Sequence, residues 1–277
     1  MQQRQQSGLG RLLASVAVAA SLAAGLGGCQ TFSDVTGALA SRAGPSPDAD
    51  PRRAVDYYGE RYRANPKDAD MAFAYGQALR LNGQHAQAAA VLEQACIAHP
   101  GNKTLLAGWG RALAANGNFQ QAFDVLSRAH TPANPDWRLL SVQGTALDQL
   151  GRHQEARRYY ESALKIVPGE PSVLSNMGMS WMLSKDLPKA EAALRQAYAN
   201  PNASSTVRQN LGLVVGLQGR FAEAEEIVKS DLPPDEAAAN VAYLKEMLRS
   251  NDKDNSRPAR DKGGAGNIPV AELTRPD

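Results

Sequence analysis

The stretch Gly76-Gln77-Ala78-Leu79-Arg80-Leu81-Asn82-Gly83, followed by His85-Ala86-Gln87-Ala88, decides the fold, because its small residues come back every 34 residues. Gly76 recurs as Gly110, Gly144, Gly178 and Gly212. Gly83 recurs as Gly117, Gly151 and Gly219, with Lys185 in the remaining slot. Ala88 recurs as Ala122, Ala156, Ala190 and Ala224, and Ala95 as Ala129, Ala163 and Ala197. Pro66, Pro100 and Pro168 close units at the same period, with Pro135 and Pro201 displaced by one residue. Several columns holding one period rule out coincidence.

Each column has a mechanical reason. Glycine before the turn and alanine after it carry little side chain, so two helix axes can approach closely. Tyr75, Leu79 and Leu92, then Trp109, Leu113 and Leu126, fill the space beside them. The turn glycine reaches positive φ after the first helix. Proline stops the second helix, since it cannot continue the hydrogen-bond ladder. In the first unit the spacing predicts helix A over 69–82 and helix B over 85–98.

Period and pattern resemble the tetratricopeptide repeat over about residues 50–232. The resemblance implies an all-α, right-handed solenoid of five full repeats. One unit cannot bury its own apolar face, so units must stack and the ends need caps. Pro51–Asn65 reads as a lone helix B, with Ala54 and Tyr58 in the expected columns, and Asp235–Arg249 as a closing helix. The domain therefore spans 51–249. Residues 250–277 carry Pro, Gly and mixed charges and read as a disordered tail.

The amino-terminal residues 1–28 read as a targeting segment outside the fold. Arg4 and Arg11 precede an apolar run from Leu12 to Leu26, short against the about 20 residues of a membrane-spanning helix. The run ends in Leu26-Gly27-Gly28-Cys29, which resembles the lipobox of bacterial lipoproteins. That resemblance implies lipidation of Cys29 and cleavage before it; multiple acyl chains, palmitate among them, would hold the protein firmly to a bilayer. Gln30, where an Asp usually means retention in the inner membrane, points to the outer membrane, facing the periplasm. Residues 29–50, with Pro45 and Pro47, read as a lipidated flexible tether.

Composition narrows the function. The formal charge of +2 is carried by Arg4 and Arg11, so the remainder balances to zero. A balanced chain has no electrostatic footprint for nucleic acid. With Cys29 consumed by lipid, Cys96 has no disulfide partner and reads as a small buried thiol. His85, His99, His130 and His153 sit at turns or helix ends without metal-ligand spacing. Gly8-Leu9-Gly10 precedes no strand, so no dinucleotide site follows. Glu223, Glu225 and Glu226 read as a solvated face. Asn102-Lys103-Thr104 and Asn202-Ala203-Ser204 match a glycosylation pattern by coincidence. No catalytic residue, metal site, cofactor or small-molecule substrate is expected, and the chain does not read as an enzyme.

In the tetratricopeptide family helix A lines a concave groove that meets protein ligands. The corresponding columns here give Phe73, Gln77 and Arg80, then Arg111, Arg138 and Thr145, then Ser175, Asn176, Met179, Gln209, Asn210 and Leu213. Asn176 and Asn210 lie one repeat apart. Each amide offers donor and acceptor, suited to holding an extended backbone; the plainer reading is that asparagine fits this helix surface. The family's carboxylate clamp uses Lys and Asn where this chain has Phe73 and Gln77, so capture of acidic chaperone tails is not implied.

Asn210-Leu211-Gly212-Leu213-Val214-Val215-Gly216-Leu217-Gln218-Gly219-Arg220, then Ala222-Glu223-Ala224-Glu225, Asp231-Leu232-Pro233-Pro234 and Ala237 to Leu244, resemble the TadD lipoprotein family of the tight-adherence (Flp pilus) secretion system. That resemblance implies a part in pilus assembly, with protein partners in the same machine, the outer-membrane secretin first among them. A lipid-anchored scaffold for another envelope complex, a type IV pilus secretin or a cell-wall synthesis complex, is the alternative. An enzyme would need clustered polar residues in the groove, where only scattered ones are visible.

Overall fold

The computed structural model describes residues 50–255, with side chains through Ser250. Residues 1–49, on which the expected signal segment, the lipidation at Cys29 and the tether fall, and residues 256–277 lie outside the described residues. The described residues form twelve α-helices and no strand. They are α1 (Pro51–Ala64), α2 (Ala69–Leu81), α3 (His85–Ala98), α4 (Lys103–Ala115), α5 (Phe119–Ala129) and α6 (Trp137–Gln149). Then come α7 (His153–Ile166), α8 (Pro171–Leu183), α9 (Leu187–Tyr198), α10 (Ser205–Leu217), α11 (Phe221–Val228) and α12 (Pro234–Asn255). The five pairs from α2/α3 to α10/α11 are the five repeats, and the fold is an all-α solenoid of tetratricopeptide repeats. In the first repeat helix A ends one residue before the expected boundary, and helix B matches it.

The glycine column earns its place by a close approach. A Cβ added at Gly76 would lie 2.5 Å from Cγ of Leu92, and one at Gly110 2.5 Å from Cγ of Leu126. The same seam joins Gly144 to Tyr160, Gly178 to Leu194 and Gly212 to Val228. Helix A of every repeat thus presents bare backbone to one large side chain of its own helix B. Ala88, Ala122, Ala156, Ala190 and Ala224 close the same interface, each fully or almost fully buried.

Helix starts and turns repeat as well. Asp68, Asn102 and Asp136 each accept bonds from backbone N–H groups of the first turn of their helix A, and Glu170 does so from Ser172. Such caps satisfy donors that the helix leaves orphaned. Ser204 occupies the same column without making a side-chain cap. At the A-to-B turn Gly83, Gly117, Gly151 and Gly219 have φ between 76° and 83°, and Lys185 is held at 64° in the same conformation. Left-handed backbone costs a non-glycine residue about 1–2 kcal/mol, so this turn is kept against its own sequence.

Each helix A touches the next helix A along the array, while helices B make comparable contact only with helices A. The helices A therefore form the tighter, inner layer, and their free sides are the inner face. α1 packs on α2 at one end, with Ala54 buried. At the other end α12 packs on α10 and α11, and Leu244 fills the space above Gly216. α12 runs to Asn255, six residues beyond the expected end at Arg249.

Candidate functional site: the inner helix face

The groove residues expected from sequence all lie on helices A, but the structure sorts them into engaged and open ones. Phe73 is half-buried, its ring over Gly108 of the next helix A, 3.0 Å from where a Cβ would stand. Gln77 accepts from Nε of Arg80 at 3.0 Å. Thr145 donates to the carbonyl of Ser141 at 3.1 Å. Met179 and Leu213 are half-buried against the core of the last two repeats, and Gln209 is half-buried. Ser175 and Arg111 are buried, 4% and 7% exposed, so neither is the open contact its column implied.

Asn176 and Asn210 are joined to the fold. The Asn176 amide donates to Oγ of Ser141 at 3.1 Å, and the Asn210 amide to Oγ of Ser175 at 3.0 Å. Each bond links a helix A to the preceding helix A. The pair expected to hold a partner's backbone forms two rungs between repeats. Ser141 was not among the expected site residues. Its signal was available: Ser141 and Ser175 are one period apart, each 35 residues before an asparagine.

Two arginines stand between α4 and α6. Nε of Arg111 is buried without an acceptor, and among the described residues no group bonds its guanidinium. Burial lowers its pKa; Asp136 opposes that shift and Arg138 adds to it. The Arg138 guanidinium lies 4.4 Å from the ring centroid of Trp137 and forms no ion pair among the described residues. Asp136 is already committed, its carboxylate accepting from the N–H groups of Arg138 at 2.8 Å and Leu139 at 3.4 Å.

A buried polar network went unseen in the sequence. Asp148 is 7% exposed and accepts from Tyr160 at 2.9 Å and Ser180 at 2.7 Å, and pairs with Nδ1 of His153 at 2.8 Å. Burial, with the Asp148 charge next in weight, raises the Tyr160 pKa well above its usual value. Ser180 bonds the carboxylate and not the imidazole, so the trio lacks the serine–histidine contact that nucleophilic catalysis requires. It locks repeats three and four together. Arg157 adds to the lock by donating to Ser180 and Ser184 while stacking on Trp181. A second network holds Gln143, 1% exposed, between Ser127 and His130. Beside it a cleft of about 460 Å³ opens between α5 and α7, lined by His130, Leu140, Tyr159 and Ile166 among others. The signal for the second network is a polar residue in an apolar column: Gln143 stands with Tyr75, Trp109, Met177 and Leu211.

The remaining candidates fall outside any site chemistry. Cys96 is half-buried and free, its thiol pushed up to about 11 chiefly by burial. His99 bonds the carbonyl of Lys67 at 2.7 Å. Glu223 pairs with Arg195 and Arg220, and Glu225 and Glu226 pair with Lys229. Among the described residues no group of side chains could hold a metal ion, and no helix is long and apolar enough to cross a membrane.

Comparison with known proteins agrees with this architecture. Residues 107–171 match the family model described as Tetratricopeptide repeat. Residues 56–129 match the model described as Anaphase-promoting complex, cyclosome, subunit 3. Neither description is that of an enzyme family. No curated protein matches. Among solved structures, the anaphase-promoting complex hetero-tetramer Cut9–Hcn1 is similar with a TM-score of 0.60 at 16% identity, over 76% of this chain and 42% of that one. This chain thus spans less than half of that structure's length. YrrB, a tetratricopeptide-repeat protein, aligns at 16% identity over 70% of this chain and 100% of that one, TM-score 0.48. MamA from Desulfovibrio magneticus RS-1 aligns at 18% identity over 66% and 97%, TM-score 0.47. The class that fold and inner face define is the tetratricopeptide-repeat scaffold for protein–protein interaction.

Proposed function

We propose that this chain is a lipid-anchored scaffold that holds protein components of a tight-adherence pilus secretion complex in the bacterial envelope. The observation that carries the reading is the contrast between a strictly periodic framework and a row of the inner face whose residue differs in every repeat. One row of that face reads Gln77, Arg111, Thr145, Met179, Leu213. A framework that repeats needs only one solution; a face that does not is shaped to one partner. The envelope setting is supported by Leu26-Gly27-Gly28-Cys29 at the end of an apolar run, and the outer membrane by Gln30. The pilus assignment is supported by the resemblance carried by residues 210–244, and the outer-membrane secretin is the natural partner.

The test is a pull-down from detergent-solubilised envelopes with wild type and Arg138→Glu, a change on the inner face that touches no ion pair. Pilus-machine components, the secretin among them, should co-purify with wild type and drop away in the variant while its melt is unchanged. Recovery of a different envelope complex would replace the pilus reading. In parallel, Cys29→Ser should move the protein out of the membrane fraction; unchanged, detergent-requiring association would remove the lipid anchor from the proposal.

A further inference from the structure

Among the described residues the inner face carries one buried charge that the fold leaves unanswered. Arg111 is 7% exposed, its Nε is sealed from solvent, and no described residue accepts a bond from its guanidinium. A buried arginine without a partner is unfavourable, and an apolar side chain of similar volume serves packing better. Its surroundings aggravate the problem. Arg138 repels it from the next helix A, and the nearby carboxylate of Asp136 is occupied in capping α6. The other buried charged side chain among the described residues is answered within the fold: Asp148 takes three partners.

We propose that Arg111 and Arg138 form an anion subsite on the inner face that takes the carboxylate of an aspartate or glutamate side chain from an extended segment of a partner protein. This rests on the reading of the inner face as the partner-binding surface. The guanidinium is a planar fork whose paired N–H donors match the two oxygens of a carboxylate. Trp137, under Arg138, supplies an apolar wall beside the fork. The site is small and singular. Charge beyond residue 11 balances to zero, so there is no extended basic field for a polyanion. The subsite also differs from a clamp of several groove residues on one chain terminus, since it is a single buried arginine aided by one stacked neighbour.

The test uses the purified full chain and two matched sets of short peptides, amino-acetylated and carboxy-amidated, identical except for a central Glu or Gln. Binding is read by fluorescence anisotropy. Glu members should bind about ten-fold more tightly than their Gln partners, as a charge-assisted bidentate pair implies. Arg111→Met should erase that preference and melt no lower than wild type, because the charge it removes is unpaired. Arg111→Lys, which keeps the charge without the fork, should retain only part of the preference. Peptides that bind wild type with no preference for Glu overturn the subsite and leave the inner-face reading standing. Failure of every peptide to bind overturns both. A lower melt for Arg111→Met with the Glu preference intact shows the arginine to be a packing residue and overturns the subsite alone.

Discussion

The seam between helix A and helix B and the inner face of the helices A are built from the same chain by opposite rules. At the seam, five glycines meet Leu92, Leu126, Tyr160, Leu194 and Val228 in one geometry. The constraint there is contact at the closest distance backbone allows, and only one kind of residue meets it. On the inner face, neighbouring repeats place a glutamine, a buried arginine, a threonine, a methionine and a leucine in one row. The stacking of helices does not hold that row to one residue type. The difference teaches that period reports the framework, while departures from period report either a partner or a lock between particular repeats.

The sharpest way to break this comparison is to crowd the seam. Gly110→Leu should destabilise the array by about 3 kcal/mol, since overpacking of a fixed interface costs about 1–3 kcal/mol and here the obstacle is the core side chain of Leu126. Ala133→Leu, at an exposed repeat junction, should stay within about 0.5 kcal/mol. Chemical denaturation of both variants checks the pair, and equal midpoints would mean the seam is not the rigid element.

Next in size are the rungs that cross the inner face. Asn176→Ala with Asn210→Ala removes bonds to Ser141 and Ser175, and each is worth about 1 kcal/mol. A denaturation midpoint matching wild type would return both asparagines to the open groove.

The turn offers a change in the other direction. Lys185 holds φ 64° where four sister turns have glycine. Lys185→Gly should raise stability by about 1 kcal/mol, less what glycine's freer unfolded chain removes. A lower thermal midpoint would show that the lysine side chain, not the turn, governs this position.

The smallest effect at neutral pH belongs to the ion network from α9 to α11, where Glu191 pairs with Arg220 and Arg195. Hydrogen bonding from Arg220, resisted by burial and aided by Gln218 and Arg195, lowers the Glu191 pKa from 4.5 to about 2. A depressed carboxylate stabilises the fold above its unfolded value, and that contribution is lost as pH falls from about 4.5 through about 2. Glu191→Gln should therefore flatten the acid limb of the stability profile; an unchanged limb would place the acid sensitivity elsewhere.

The sequence by itself determined the helices, their pairing and the number of repeats, because these follow from local and periodic constraints: a glycine where two backbones touch, a positive φ at a turn, a proline where a ladder must stop. Helix B of the first repeat could be read to the residue. Only the tertiary structure decided what each inward residue does, since that depends on which atoms of a neighbouring repeat come within bonding distance. Asn176 reaches Ser141, Asp148 gathers Tyr160, Ser180 and His153, and Arg111 reaches no acceptor. A sequence period fixes the rise from one repeat to the next; the few ångströms separating a satisfied side chain from an unanswered one are set by packing across repeats, which no single repeat encodes.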